Sequence, residues 1–225
     1  MLDPEMEELD FIRSCGPADE ADFLKKCRLY GDLLYETNRT MNLTRIPPEE
    51  FWTKHVCDSL SLALRFPMPD AGHHLKMCDV GCGAGLPSVI LAAAFPGLFV
   101  TAVDSTGKKA AFVQKAGEMM ELHNLRVFQA RANELGRKPE FRHAFRLVTA
   151  RAVGTAETLM REASGLLCGG GTLVLYRTPA QAEPEAERLK ALKPPLPFEL
   201  SEPFVLPGGE AAAGTRLFLM IRGLS

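Results

Sequence analysis

The residues Cys78-Asp79-Val80-Gly81-Cys82-Gly83-Ala84-Gly85-Leu86-Pro87 lead an apolar run, through three glycines at alternate positions, into a helical pattern. Such a sequence forms a strand ending on a carboxylate, a turn too tight for side chains, and a helix N-terminus. Backbone at the glycines can approach a ligand closely, and the helix N–H groups and dipole favour polar or anionic groups there. A second apolar strand, Leu98 to Val103, ends in Asp104. A carboxylate in that position accepts hydrogen bonds from both hydroxyls of a ribose. The spacing also departs from a relative of this motif. A dinucleotide fingerprint reads G-x-G-x-x-G, with a third glycine for close helix packing. This chain reads G-x-G-x-G with Leu86 at that third position, which argues against a nicotinamide-dependent oxidoreductase.

Other constellations are weaker. His55, Asp58 and Ser59 are the residue types of a hydrolase triad, but at i, i+3 and i+4 they share one helix face and do not converge on a substrate. Hydrogen bonding to the adjacent link, at Asn42 or Thr44, or to the glycine loop is the expected role. The six cysteines are scattered, with no C-x-x-C, and are expected to be reduced thiols filling small spaces. No metal site is expected. Lys108 and Lys109 open a helix where the dipole disfavours cations, so either phosphate contact or packing of their stems fits. Met119-Met120 on that helix reads as core filler.

These groups need a scaffold, and the chain supplies one. Phe23, Cys27, Tyr30 and Leu34 make residues 19–38 an amphipathic helix, and Pro47-Pro48 opens another over 49–65. Met41-Asn42-Leu43-Thr44-Arg45 links them. Residues 1–70 are therefore expected as an N-terminal helical extension, closed by Pro67 to Gly72, with residues 71–225 as one compact catalytic domain. From there strands (75–80, 98–103, 125–130, 145–150, 171–176) alternate with helices (86–95, 107–122, 155–167, 180–192). Alternation of this kind means βαβ units and a mostly parallel sheet covered on both faces. Gly169-Gly170-Gly171 reads as a helix-to-strand turn. Phe198 to Leu206 and Leu217 to Arg222, joined through Pro207-Gly208-Gly209, read as an antiparallel pair closing a seven-stranded Rossmann-like α/β sheet. The ligand then sits at the carboxyl ends of the strands, at segments 81–87, 104–108, 130–133, 150–152 and 176–177.

Length and composition agree with one α/β domain plus an extension: 225 residues, 46% hydrophobic and 24% charged. No apolar stretch approaches the ~20 residues of a membrane span. The acidic N-terminus argues against a leader, and a cytoplasmic location is expected. A net charge of −2 is not that of a nonspecific nucleic-acid binder, yet it is unevenly spread. Residues 1–50 hold twelve acidic and six basic groups, so the rest of the chain carries +4. Residues 126–151 hold Arg126, Arg131, Arg137, Lys138, Arg142, Arg146 and Arg151 against Glu134 and Glu140. That stretch is either a local phosphate-binding face or a solvated charged loop.

The D-x-G-x-G-x-G motif with Asp104 resembles the S-adenosylmethionine site of Rossmann-like methyltransferases. Within these, the chain resembles the bacterial 16S ribosomal RNA guanine-N7 methyltransferases of the GidB type over roughly residues 20–222. The resemblance rests on Asn42-Leu43-Thr44, His55 with Asp58-Ser59-Leu60, the 79–87 loop, Asp104-Ser105-Thr106-Gly107-Lys108-Lys109, Arg131-Ala132-Asn133-Glu134, Arg151-Ala152 and Arg216. It implies S-adenosylmethionine as cofactor and small-subunit ribosomal RNA or a ribosomal particle as partner; the chain itself is expected to be a monomer. It implies cofactor contacts from Asp79, Gly81, Gly83, Gly85, Leu86, Asp104, Ala132, Asn133 and Arg151, and functional roles for Arg131 and Arg216. The chain departs from the family pattern at Leu86-Pro87-Ser88 (usually Phe-Pro-Gly), at Ala150 (usually Ser) and at Tyr176-Arg177 (usually Lys-Gly).

Overall fold

The computed structural model describes residues 3–70, 72–209 and 214–223. The apolar runs form strands β1 (Leu75–Val80), β2 (Leu98–Asp104), β3 (Leu125–Gln129), β4 (Phe145–Arg151) and β5 (Leu167–Arg177), all pairing in parallel. β8 (Thr215–Arg222) runs antiparallel to β5, and β6 (Phe198–Leu200) antiparallel to β8. The order is β3-β2-β1-β4-β5-β8-β6. Chain direction across the sheet reverses beside β1, which pairs β2 on one side and β4 on the other. That is the switch point where a crevice opens at the carboxyl ends.

Side-chain alternation divides the sheet between two cores. Met77, Leu147, Val174 and Phe218 point into one. Their neighbours Cys78, Val148, Leu173 and Leu219 point into the other. The first core is covered by α4 (Ser88–Ala94), α5 (Gly107–Met119) and the N-terminal helices α1 (Met6–Cys15) and α2 (Glu20–Asn38). The second is covered by α6 (Ala132–Leu135), α7 (Ala156–Ala163) and α8 (Pro179–Ala191). Phe23, Tyr30, Phe51 and Trp52 are buried in the first core, each contributing on the order of 1.5–3 kcal/mol. The Tyr30 hydroxyl also donates to the carbonyl of Ala84 at 2.7 Å, fastening α2 to the glycine loop.

The structure differs from expectation at several places. The stretch expected as one amphipathic helix over 49–65 is irregular. It has a 3-10 turn at Pro48–Glu50, a π-helical segment at Trp52–Cys57, an α-helical turn α3 (Asp58–Leu60) and a second 3-10 turn at Ser61–Leu64. Residues 55–62 are buried throughout, so packing on every side, not a single apolar stripe, shapes it. The triple glycine belongs to β5, where pairing slips between Phe145↔Leu167 and Leu147↔Thr172, and Gly170 takes a left-handed φ of 69°. Extra residues on one strand are absorbed as a bulge, and glycine allows it. The tail expected as one strand over 198–206 is two, β6 and β7 (Phe204–Val205), the latter an eighth strand off the main path. Ser201-Glu202-Pro203 interrupts them, and Pro203 has no N–H to donate to a ladder. Of the methionine pair, Met120 is buried but Met119 is 38% exposed. Ala71 and residues 210–213, within the expected linker and the tail connection, lie outside the described residues.

Candidate active site

A cavity of about 740 Å³ opens at the carboxyl ends of the strands. Its floor is the glycine loop after β1, with Gly81, Cys82, Gly83, Ala84 and Leu86. One wall is the end of β2 and the start of α5: Asp104, Ser105, Thr106 and Lys109. The opposite wall holds Arg151-Ala152-Val153 after β4, Tyr176 to Thr178 after β5, Gln181 and Arg216. The N-terminal extension supplies the rest: Leu43 to Ile46, Lys54, His55 and Asp58.

Asp104 shapes the floor. Its Oδ2 accepts from the Gly83 N–H at 3.0 Å and its Oδ1 from the Thr106 N–H at 2.8 Å. Each oxygen keeps a lone pair, because a carboxylate offers about four acceptor sites. At Gly83, φ is 56° and an added Cβ would meet nothing nearer than the Gly81 carbonyl at 3.9 Å. The space above it is cavity. Gly81 is tighter, since a Cβ there would lie 2.9 Å from Val153.

Asp79 lies beneath the loop and does not line the cavity. It is fully buried, accepting from the Ser88 hydroxyl at 2.6 Å and from the Thr149 hydroxyl at 2.8 Å. Burial raises its pKa; those hydroxyls and the charge of Arg151 oppose the rise. Ser88, a departure from the family pattern, thus supplies a hydrogen bond to a buried carboxylate. Gly85 likewise faces inward, with Val89 and Val113 around it.

The second half of the cavity is built around Asp58. Arg151 Nη1 donates to Asp58 Oδ2 at 2.7 Å and to the Lys54 carbonyl at 3.2 Å. Arg216 Nε donates to Asp58 Oδ1 at 3.1 Å. Asp58 therefore bridges two arginines and does not bind the link or the glycine loop as expected. His55 does bind the link, at 3.0 Å from Thr44 Oγ1. Arg151 Nη2 lies 3.5 Å from His55 Nδ1, and a guanidinium only donates, which assigns the proton to Nε2. Burial and the charge of Arg151 push this imidazole down to about 3, so it is neutral. The link is held in turn by Asn38, whose Oδ1 accepts from Leu43 N and Thr44 N. The Ser59 hydroxyl, third member of the apparent triad, is buried without a hydrogen-bond partner. Its carbonyl accepts from the Tyr176 hydroxyl at 3.1 Å.

The remaining candidates fall elsewhere. Arg131, Ala132 and Asn133 are not among the lining residues, although the Ala130 N–H bonds to the Asp104 carbonyl and holds the segment beside the rim. Arg131 and Asn133 are exposed and Ala132 is buried. Arg177 lines the cavity but is committed to Glu185 at 2.8 Å and to the Gly154 carbonyl at 3.1 Å. Lys109 faces the cavity and Lys108 does not. Sequence reasoning missed Arg45, Lys54 and Gln181 as wall residues; the unusual Asn-Leu-Thr link was the available signal for the first. All six cysteines are free, and no cluster of metal-ligating side chains occurs among the described residues. No helix among them is long and apolar enough to cross a membrane.

The chain resembles solved structures at low identity. A S-adenosylmethionine-dependent O-methyltransferase from Thermotoga maritima matches 85% of this chain and 71% of that one, at 18% identity and a TM-score of 0.56. A S-adenosylmethionine-dependent methyltransferase from Aquifex aeolicus matches 79% and 94%, at 13% identity and a TM-score of 0.56. These likenesses show a Rossmann-like methyltransferase fold. Sequence relatives are nearer. The ribosomal RNA small subunit methyltransferase G of Lysinibacillus sphaericus is 36% identical over 222 residues, covering 97% of this chain and 92% of the relative. That of a Geobacillus species is 39% identical over 181 residues, covering 79% and 74%. Residues 24–194 match the family profile described as GidB, rRNA small subunit methyltransferase G. The protein belongs to the rRNA small subunit methyltransferase G family.

Proposed function

We propose that this protein transfers a methyl group from S-adenosylmethionine to N7 of a guanine in small-subunit ribosomal RNA. Family membership gives the reaction class, and one observation supports the division of labour. A single cavity holds a carboxylate with free acceptor sites at one end, Asp104, and two guanidiniums on a shared carboxylate at the other.

The residues present fit the cofactor. Asp104 has a lone pair left on each oxygen for ribose hydroxyls, and the missing side chain at Gly83 leaves the floor open. Gly81, Leu86 and Arg151 stand around that end, while Asp79 and Gly85 act from below by holding the loop. Arg131, Ala132 and Asn133 are read as rim residues. S-adenosylmethionine, when bound, supplies an electrophilic methyl on a sulfonium.

Charge favours a polyanionic second substrate. The lining holds six cationic side chains (Arg45, Lys54, Lys109, Arg151, Arg177, Arg216) and two carboxylates, Asp58 and Asp104. Lys54 and Arg177 are neutralised by Glu50 and Glu185. Arg45 and Lys109 have no ion-pair partner among the described residues, and Asp58 balances only one of its two arginines. A cofactor that is itself cationic does not need this excess; RNA phosphates do. Guanine N7 bears a lone pair and no proton, so no general base is required, and a neutral, fully engaged His55 is consistent with that. Arg216 and Arg151 can donate to guanine O6 or a neighbouring phosphate, fixing N7 in line. Leu86, Val153, Ile46 and Tyr176 wall the site against water. Such a role places the protein in the cytoplasm with its ribosomal substrate.

The test is to incubate purified protein and cofactor with small-subunit particles from a strain lacking the enzyme. N7-methylguanosine should appear at one position in the wild-type reaction. It should fall at least tenfold with Arg216→Ala while cofactor affinity stays within about threefold. A modified base other than N7-methylguanosine would overturn the reading.

A further inference from the structure

A basic surface lies outside the cavity, on the face of the sheet opposite the acidic N-terminal helices. Residues 130–145 cover the second core through buried Ala132, Leu135 and Phe141. Arg137 and Lys138 between these anchors and Arg142 just after Phe141 are exposed, and Arg131, whose neighbour Ala130 bonds the Asp104 carbonyl, is exposed as well. None forms an ion pair among the described residues, and Glu134 and Glu140 are the carboxylates of this segment. Successive turns hold the display, with Lys138 N on the Leu135 carbonyl and Phe141 N and Arg142 N on the Lys138 carbonyl. Arg126 packs over Phe128 and Phe141 at the same edge, 5.2 and 5.8 Å from the ring centroids.

We propose that Arg137, Lys138 and Arg142 form a docking surface for the phosphate backbone of the substrate RNA, on the flank of the sheet that runs from Arg131 toward the amino ends of β4 and β5, where Gly136 lies against Gly165 and the His143 N–H bonds the Gly165 carbonyl. This rests on the proposed RNA substrate and adds where the RNA lies. Three observations carry it. The cations are unneutralised, although the whole chain carries a net charge of −2. They are mounted on buried anchors, so little order is lost on binding. Ten of the twelve acidic groups of residues 1–50 lie on or beside α1 and α2, which cover the other face, and this biases a polyanion toward this one. A protein face would meet mixed charge; a run of cations without carboxylate partners matches phosphates.

The experiment compares the wild type with Arg137→Gln/Lys138→Gln/Arg142→Gln, three side chains outside the cavity. RNA affinity and methylation kinetics are measured on small-subunit particles across a salt series, with S-adenosylhomocysteine affinity as the control. At about 150 mM salt the KM for particles should rise tenfold or more. The slope of log affinity against log salt should become shallower by about 2–3, from three lost phosphate contacts. The kcat at saturating substrate and the homocysteine-product affinity should match the wild type. An unchanged KM and salt slope would overturn the surface while leaving the methyltransferase reading intact. Failure of the wild type to methylate particles would instead overturn that reading. Should the triple variant not fold, Arg142→Glu alone must raise the KM, or the proposal fails.

Discussion

Arg151 and Arg216 bind opposite oxygens of one carboxylate, that of Asp58, at 2.7 and 3.1 Å. The arrangement is undercompensated: two fixed positive charges share one negative charge on a side chain that is 8% exposed, with the arginine side chains 16% and 20% exposed. Asp58 aims both side chains at the cavity and leaves one unit of positive charge there. The anchor sits on the N-terminal extension, so that extension is a wall of the site and not an appendage.

Replacing Asp58 with Asn keeps the shape but turns one acceptor into a donor facing a guanidinium. Breaking a largely buried pair costs about 3–5 kcal/mol, and partial exposure here brings the expectation to roughly 2–4. Turnover should fall at least tenfold. The double variant with Arg216→Ala should be little slower than Arg216→Ala alone, because Arg151 keeps its bond to the Lys54 carbonyl and the loss that the two changes share is the oriented Arg216. Urea unfolding and single-turnover methylation measure the two effects. Fully additive rate losses would show that Asp58 does not act through Arg216.

Asp104→Ala should weaken S-adenosylmethionine binding at least tenfold, since hydrogen bonds to a charged group contribute about 1.5–3 kcal/mol each. The variant also orphans the Gly83 and Thr106 N–H groups, so some stability should be lost with it. Asp104→Asn retains one acceptor and should fall between the two. Calorimetric titration decides; wild-type affinity in Asp104→Ala would remove this carboxylate from the cofactor site.

Two of the three left-handed glycines of the loop, Gly83 and Gly85, should fail differently. In Gly85→Ala the new Cβ lies 2.6 Å from Val89 Cγ2 at φ 90°, so stability should drop by about 2–4 kcal/mol through strain and overpacking. Gly83→Ala meets open space and should cost only about 1–2 kcal/mol of backbone strain, yet its methyl enters the cavity and cofactor affinity should suffer more. Thermal unfolding set beside ligand titration separates them. Equal losses of affinity per unit of lost stability would mean that Gly83 does not face the ligand.

His55 carries a pH dependence whose sign follows from burial. Its pKa is pushed down to about 3 in the folded protein, against about 6.5 unfolded. Between those values the unfolded chain binds a proton that the folded one does not. The stabilisation is therefore complete above about pH 6.5 and is lost as pH falls toward 3, by up to ~1.4 kcal/mol per pH unit. A His55→Gln variant should show a shallower decline of unfolding free energy between pH 6.5 and 4. Parallel declines would mean that His55 is already charged or solvated.

The glycine loop, Asp104 and the βαβ alternation were legible in the chain because each depends on local chemistry: backbone freedom, strand and helix periods, and a carboxylate at a strand end. The same locality explains the misses. Nothing near Trp52–Cys57 in sequence announces a π-helical segment, since it is imposed by packing on all sides. Asp79 reads like a ligand residue, but only the fold puts it beneath the loop between Ser88 and Thr149, the latter seventy residues away. The convergence of Asp58, Arg151 and Arg216 joins the extension, the fourth strand and the last strand, positions separated by 93 and 158 residues. Residue types and spacing determined which ligand this protein could hold, because cofactor binding uses one βαβ unit. Only the tertiary structure decided how the arginines are held, because their orientation depends on a carboxylate that no local pattern brings to them.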